Sequence, residues 1–297
     1  MQASKLLRNK QLQLQQASLS PQDPHPKLGT CHRALVTDIA GPASTLPTRQ
    51  TLAYTEMLAY LMLPSDVETQ AVIIDSLGTT QPQALATHIT ASLEGKPNGK
   101  EVATKLLDRI QLTRVFNAHG LAETLQEMLD ALVEASDEQN RQQGRIGFLL
   151  ISNITNPLSL LIQRSAGIQG PEATRGTGNA TEGHAFLVQI MRQLRWMAHT
   201  FGVTVLLLNN TVRAVSTPLV QPDQVGGRQR RAGFDGSAFS DISYQPALGK
   251  TWPHLVDVQL LVHPTGEIDA SFQAEGKGYI VECIKSCIGG VGDWHLI

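Results

Sequence analysis

Six short apolar runs, separated by longer amphipathic stretches, constrain this chain more than any other feature of its sequence. The runs lie at 35–39, 71–74, 114–116, 147–151, 203–208 and 256–262. The stretches between them predict helices at about 49–62, 99–111, 121–139 and 182–200. In the last of these, Phe186, Ile190, Met191, Leu194 and Met197 recur three and four residues apart, which puts them on one helical face. Strands that are apolar throughout, rather than in alternation, are buried on both faces. Interleaved with helices, they predict an α/β fold: a doubly wound, mostly parallel sheet with helices on both sides. The C-terminal part reads differently. Residues 268–272, 279–284 and 294–297 are separated by Gly-containing turns without an intervening helix, which predicts antiparallel strands at one edge.

Composition narrows the function classes. The chain of 297 residues carries 24 basic and 26 acidic side chains, a net charge of −2, which excludes a strongly basic nucleic-acid coat protein. A hydrophobic share of 41% excludes a largely disordered chain. Runs such as 148–151 and 205–208 fall far short of the roughly 18–20 apolar residues of a membrane span. Cys31, Cys283 and Cys287 form no disulfide framework, and their odd number points to a reducing compartment. No second Cys/His pair at zinc spacing accompanies Cys283 and Cys287, so they read as buried or half-buried thiols, with no metal expected. Residues 1–28 are rich in Gln, Ser and Pro and carry Lys5, Arg8 and Lys10 ahead of the first acid, Asp23. They read as a flexible tail before a core domain at 29–297, with a mitochondrial presequence as the alternative.

In a doubly wound sheet the binding crevice lies at the carboxyl ends of the strands. After the first run comes Gly41-Pro42-Ala43-Ser44-Thr45-Leu46-Pro47-Thr48. Set against the phosphate-loop pattern G-x-x-x-x-G-K-[ST], it keeps Gly41 and Thr48, but Leu46 replaces the second Gly and Pro47 the Lys. Such a loop aims successive backbone N–H groups at phosphate oxygens while the Lys neutralises their charge. Leu46 adds bulk where close backbone approach is needed, and Pro47 removes both a donor and the cation.

The order of motifs resembles the RecA/Rad fifty-one recombinase family, and within it the eukaryotic recombinase paralogues, the D-type in particular. Thr37-Asp38-Ile39-Ala40-Gly41 resembles the strand leading into the phosphate loop, and Ile73-Ile74-Asp75-Ser76 the second strand. Arg114-Val115-Phe116-Asn117 with the helix after it follows the paralogue pattern. Residues 147–155 stand where the Walker B strand belongs, and 201–210 resemble the strand ending in the family's sensor. Pro246-Ala247-Leu248-Gly249-Lys250-Thr251-Trp252 is similar to a paralogue motif. The resemblance covers about residues 30–297 and implies a RecA-like fold.

It also implies a degenerate nucleotide site. The water-orienting glutamate of the family corresponds to Leu77, and the Walker B aspartate to Ser152, or to Asn153 under a one-residue slip. Neither supplies the charge that a hard divalent ion prefers. Phosphoryl transfer rests on positioning and charge stabilisation, so these losses imply no catalytic residues and no cofactor, with ATP and magnesium only if the altered site still binds them. Thr48 keeps the hydroxyl that would reach magnesium, although a helix N-cap is the plainer role for it. Arg49 lies beside the position of the missing lysine. Asn209 and Asn210 read equally as a nucleotide sensor or as local hydrogen bonding at a strand end.

Two long polar, Gly-rich segments, 163–181 and 213–245, stand where the family carries its DNA-binding loops. The first offers Arg164 and Arg175 against Glu172. Residues 211–250 hold Arg213, Arg228, Arg230, Arg231 and Lys250 against Asp223, Asp235 and Asp241, five basic groups to three acidic. Such a segment suits phosphate contacts with single-stranded or branched DNA. Trp252 reads as core or interface. The resemblance implies a non-catalytic, nuclear subunit of homologous-recombination repair, assembled with other paralogues or the recombinase and not with a membrane. A DNA-dependent ATPase with an atypical phosphate loop is the alternative.

Overall fold

The computed structural model describes residues 34–64, 68–136, 145–165, 179–213, 237, 244–249, 251–264, 278–288 and 291–297. Among the described residues nine strands form one sheet: β1 (Val36–Gly41), β2 (Thr69–Asp75), β3 (Ile110–Arg114), β4 (Arg145–Ser152), β5 (Thr204–Arg213), β6 (Tyr244–Pro246), β7 (Val258–Pro264), β8 (Tyr279–Ser286) and β9 (Trp294–Leu296). Their order is β3-β2-β4-β5-β1-β7-β8-β9, with β6 paired to β5. All pairings from β3 across to β7 are parallel, while the β7–β8 and β8–β9 pairings are antiparallel. The expected RecA-like architecture, with its antiparallel C-terminal edge, is what the chain forms.

Among the described residues seven α-helices accompany the sheet: α1 (Leu46–Leu61), α2 (Pro82–Ser92), α3 (Gly99–Asp108), α4 (Ala118–Ser136), α5 (Thr155–Ser165), α6 (Asn179–Phe201) and the short α7 (Trp252–Leu255). Side chains alternate between faces along each strand, and both faces are covered. In β4, Phe148 and Leu150 join the cluster made with Met57, Leu61, Leu85 and Leu106 of α1, α2 and α3. Leu149 and Ile151 join the other, with Leu125 and Leu129 of α4, Leu158 of α5 and Leu194 of α6. This is why the run at 147–151 has no polar alternation. On α6 the expected apolar face is buried, with Phe186 half-buried at its end.

Some elements differ from expectation. β3 precedes the predicted run at 114–116, and it is an edge strand whose half-exposed residues leave only a weak apolar signal. Helices α2 and α5 fall where none was expected, and β6 begins inside the segment read as loop at 213–245. Cys283 is half-buried as expected, whereas Cys287 is exposed, because the chain turns outward after β8. The tail at 1–28 and the strand expected at 268–272 lie outside the described residues. Among the described residues no helix is long and apolar enough to cross a membrane.

Candidate functional site

The carboxyl ends of β1, β2, β4 and β5 converge on one edge of the sheet, and Gly41 of β1 pairs directly with Asn210 of β5. After Gly41, Pro42 is extended and Ala43–Thr45 form a 3-10 turn that runs straight into α1. The Thr45 N–H is used within that turn, donating to the Pro42 carbonyl at 2.9 Å. A phosphate loop keeps such groups free and convergent; here the segment is wound into helix. Gly41 is required for a different reason. A Cβ there would lie 2.5 Å from Thr45 Oγ1 and 2.9 Å from the Val262 carbonyl.

The atom nearest that glycine after these two is Nε of Arg49. Arg49 is fully buried, and every nitrogen of its guanidinium donates. Nε donates to Thr45 Oγ1 at 3.0 Å and Nη1 to the Asn209 carbonyl at 2.5 Å. Nη2 donates to the Pro42 carbonyl at 3.1 Å and to Asn210 Oδ1 at 3.0 Å. Burial brings its pKa down to about 10, which leaves it cationic at neutral pH. Leu46 and Thr48 are half-buried and Pro47 is exposed. Thr48 is not an N-cap: the 3-10 turn brings the chain into the helix earlier, and Thr45 holds the cap position without a side-chain cap bond.

The loop after β2 is organised by Asp75, which is also fully buried. Its Oδ1 accepts from the N–H groups of Leu77 and Gly78, and its Oδ2 from that of Thr80 at 2.7 Å. Leu77, which the family resemblance sets against the water-orienting glutamate, is 40% exposed. Ser152 is buried at the end of β4, and its Oγ has no partner. Asn153 takes the left-handed conformation at φ 61, and its carbonyl accepts from Ser76 Oγ at 2.6 Å. Thr155, at the start of α5, serves both asparagines of β5. Its hydroxyl donates to Asn209 Oδ1 and accepts from the Asn210 N–H. The structure therefore brings Gly41, Asn153, Asn209 and Asn210 together. Asp75 and Thr155 are organisers that residue spacing did not reveal, and Arg49, noted only for its place beside the missing lysine, is a third.

Beneath this edge, Asp38 of β1 is wholly buried, and Oδ2 accepts from Trp252 Nε1 at 2.7 Å and Gln259 Nε2 at 2.8 Å. Burial raises its pKa to about 6, opposed by those two hydrogen bonds, by the Arg49 charge and by Asn209. Even so, neither Asp38 Oδ1 nor Asn209 Nδ2 has a partner within hydrogen-bond geometry. The 246–252 motif thus has a structural use. Gly249, at φ +90, turns the chain so that α7 delivers the Trp252 indole to Asp38. Of the basic candidates, Arg213 is exposed at the end of β5 and Arg164 lies in α5. Arg175, Arg228, Arg230, Arg231 and Lys250 lie outside the described residues.

No family profile matches the chain. It is 20% identical over 230 residues to the DNA repair protein RAD51 homolog 4 of Mus musculus, and 22% identical over 230 residues to that of Bos taurus. Each alignment covers 77% of this chain and 55% of the relative. It is 26% identical over 184 residues to the DNA repair protein rdl1 of Schizosaccharomyces pombe, covering 62% of this chain and 54% of that one. The chain spans about half the length of these relatives.

Proposed function

We propose that this chain, a recombinase paralogue of the RecA-like fold by weak but consistent homology, is a non-catalytic subunit in homologous-recombination DNA repair. It acts in the nucleus by joining other paralogues or the recombinase into a hetero-oligomer, and its two basic segments contact single-stranded or branched DNA. The domain that does this spans 29–297, preceded by the tail at 1–28. The observation that supports the non-catalytic reading is Arg49, whose buried guanidinium takes up the oxygens of the turn that corresponds to the family's phosphate loop. The substitutions at Leu46, Pro47, Leu77 and Ser152 support it, because they leave the edge without the cation, metal ligand and water-orienting carboxylate of phosphoryl transfer.

Isolation of the protein from its own cells, with mass spectrometry of what accompanies it, tests the assembly. Other paralogues are the expected companions, and their absence would sink the reading. An ATPase with an atypical phosphate loop predicts magnesium-dependent ATP binding by the isolated chain, whereas the present reading predicts none. For DNA, changing Arg228, Arg230 and Arg231 together to Ala is expected to weaken binding to strands of any sequence. The salt slope measured by fluorescence anisotropy should fall by roughly 0.7 for each single-strand phosphate that the variant no longer neutralises. An unchanged slope would leave a pure scaffold.

A further inference from the structure

We infer that the crossing after β1 is a cation cradle: a site built to hold one planar guanidinium, which the chain supplies itself through Arg49. The inference deepens the reading of that crossing as closed to nucleotide, and rests on it. Its ground is the chemistry of the lining. Thr45 Oγ1, the carbonyl oxygens of Pro42 and Asn209, and Asn210 Oδ1 all turn lone pairs inward. These come from two places far apart in sequence, the start of α1 and the end of β5. They surround the guanidinium along the edges where its N–H groups project, a fork that a lysine ammonium cannot reproduce. The buried carboxylate of Asp38 adds an attractive charge from below, and itself gains from the Arg49 cation.

The polarity is the reverse of a phosphate site. Phosphate oxygens need converging N–H donors, and here they would meet oxygens. Removing Arg49 therefore does not reopen a nucleotide site. It leaves a hole selective for a small planar cation, lined by acceptors that lose the Arg49 donors, although the Pro42 carbonyl keeps those of the Thr45 N–H and hydroxyl.

The test is chemical rescue in the full chain. The variant Arg49→Ala is expected to melt on the order of 5–10 °C below the parent protein. Methylguanidinium chloride at millimolar concentration should restore about 2–4 °C of that in a saturable way, as a ligand does that binds only the folded state. Sodium chloride at equal ionic strength should not, and the parent protein, whose cradle is full, should show no rise. Should Arg49→Ala prove too unstable to purify, refolding it with and without methylguanidinium gives the same readout as yield.

A second variant, Arg49→Lys, keeps the charge and loses the fork; it is expected to melt well below the parent. Lys matching the parent within a degree, or Ala gaining nothing from methylguanidinium, overturns the cradle while leaving the proposed function standing. Stabilisation of either protein by pyrophosphate or magnesium-ADP would overturn both.

Discussion

The crossings after β1 and β2 solve one problem with opposite charges. Each strand must release its chain into a turn whose inward-facing polar backbone groups need partners. After β1 the turn points the oxygens of Pro42 and Thr45 inward, and Arg49 collects them together with the Asn209 carbonyl of β5. After β2 it points N–H groups inward, and Asp75 collects those of Leu77, Gly78 and Thr80. The donor-lined turn, the kind that could cradle an anion from outside, is already filled by an internal carboxylate. The acceptor-lined turn is filled by an internal cation. At both places the polarity at the sheet's carboxyl edge is spent within the chain.

The strongest way to break this equivalence is at Asp75. Asp75→Ala removes the acceptor of three N–H groups, that of Thr80 buried and those of Leu77 and Gly78 partly so, and is expected to cost about 3–4 kcal/mol in urea denaturation. Asp75→Asn should recover about half of that loss, because a single amide oxygen can still accept while its NH2 faces a donor. An Ala variant with the parent's midpoint would mean the two turns are not held alike.

Asp38 sharpens the contrast, since it is a buried charge with one oxygen left unpartnered. Its carboxyl has a folded pKa near 6 against an ordinary value of 3.8. The folded state therefore holds the proton more tightly than the unfolded one. The resulting stability is fully present below about pH 4 and is lost as pH rises through about 6. The amplitude is roughly 3 kcal/mol at most. Asp38→Asn should flatten this fall, as read from denaturation midpoints between pH 4 and 7. An unchanged slope in the variant would assign the pH dependence elsewhere.

Smaller effects follow at the loop itself. The double change Leu46→Gly and Pro47→Lys restores the phosphate-loop pattern on paper, yet should cost about 1–2 kcal/mol through the added helix glycine and poorer packing. It should yield no DNA-stimulated ATP hydrolysis, because Arg49 still fills the crossing. Turnover comparable to an active recombinase would break the comparison at its first member. The smallest effect is expected at exposed Leu77, where Leu77→Glu should change stability by no more than about 0.5 kcal/mol and restore no hydrolysis.

The fold was legible because its central strands are apolar on both faces, and only burial on both sides permits that. β3 was misplaced because an edge strand needs only one neighbour and one covered face. Helices α2 and α5 escaped notice for a related reason: α2 shows only Leu85 and Ile89 to the core among Thr, Gln and His, and α5 starts within three residues of β4. At the site, strand ends pointed correctly to Gly41, Asn209 and Asn210. Arg49 could be noticed beside the missing lysine, but not its direction, since two of its acceptors lie 160 and 161 residues further along the chain. Trp252 read as core or interface, and it is core. The carboxylate that receives its indole lies 214 residues earlier, beyond the reach of any local pattern.

The place of β1 has a consequence in time. It is the earliest of the described strands, yet it lies between β5 and β7, which begin at Thr204 and Val258. Its amino end is held by Asp257, which accepts from the Val36 N–H, and its buried carboxylate by Trp252 and Gln259. On a ribosome, β1 emerges well before anything that can pair with it. It must wait with both edges open until β5 and then β7 have been made, which is the condition in which nascent strands find wrong partners. Closing the centre of the sheet is a late, long-range event. A chain truncated before α7 would lack one neighbour of its central strand and both side chains that donate to Asp38, however much of the helical cover it retained.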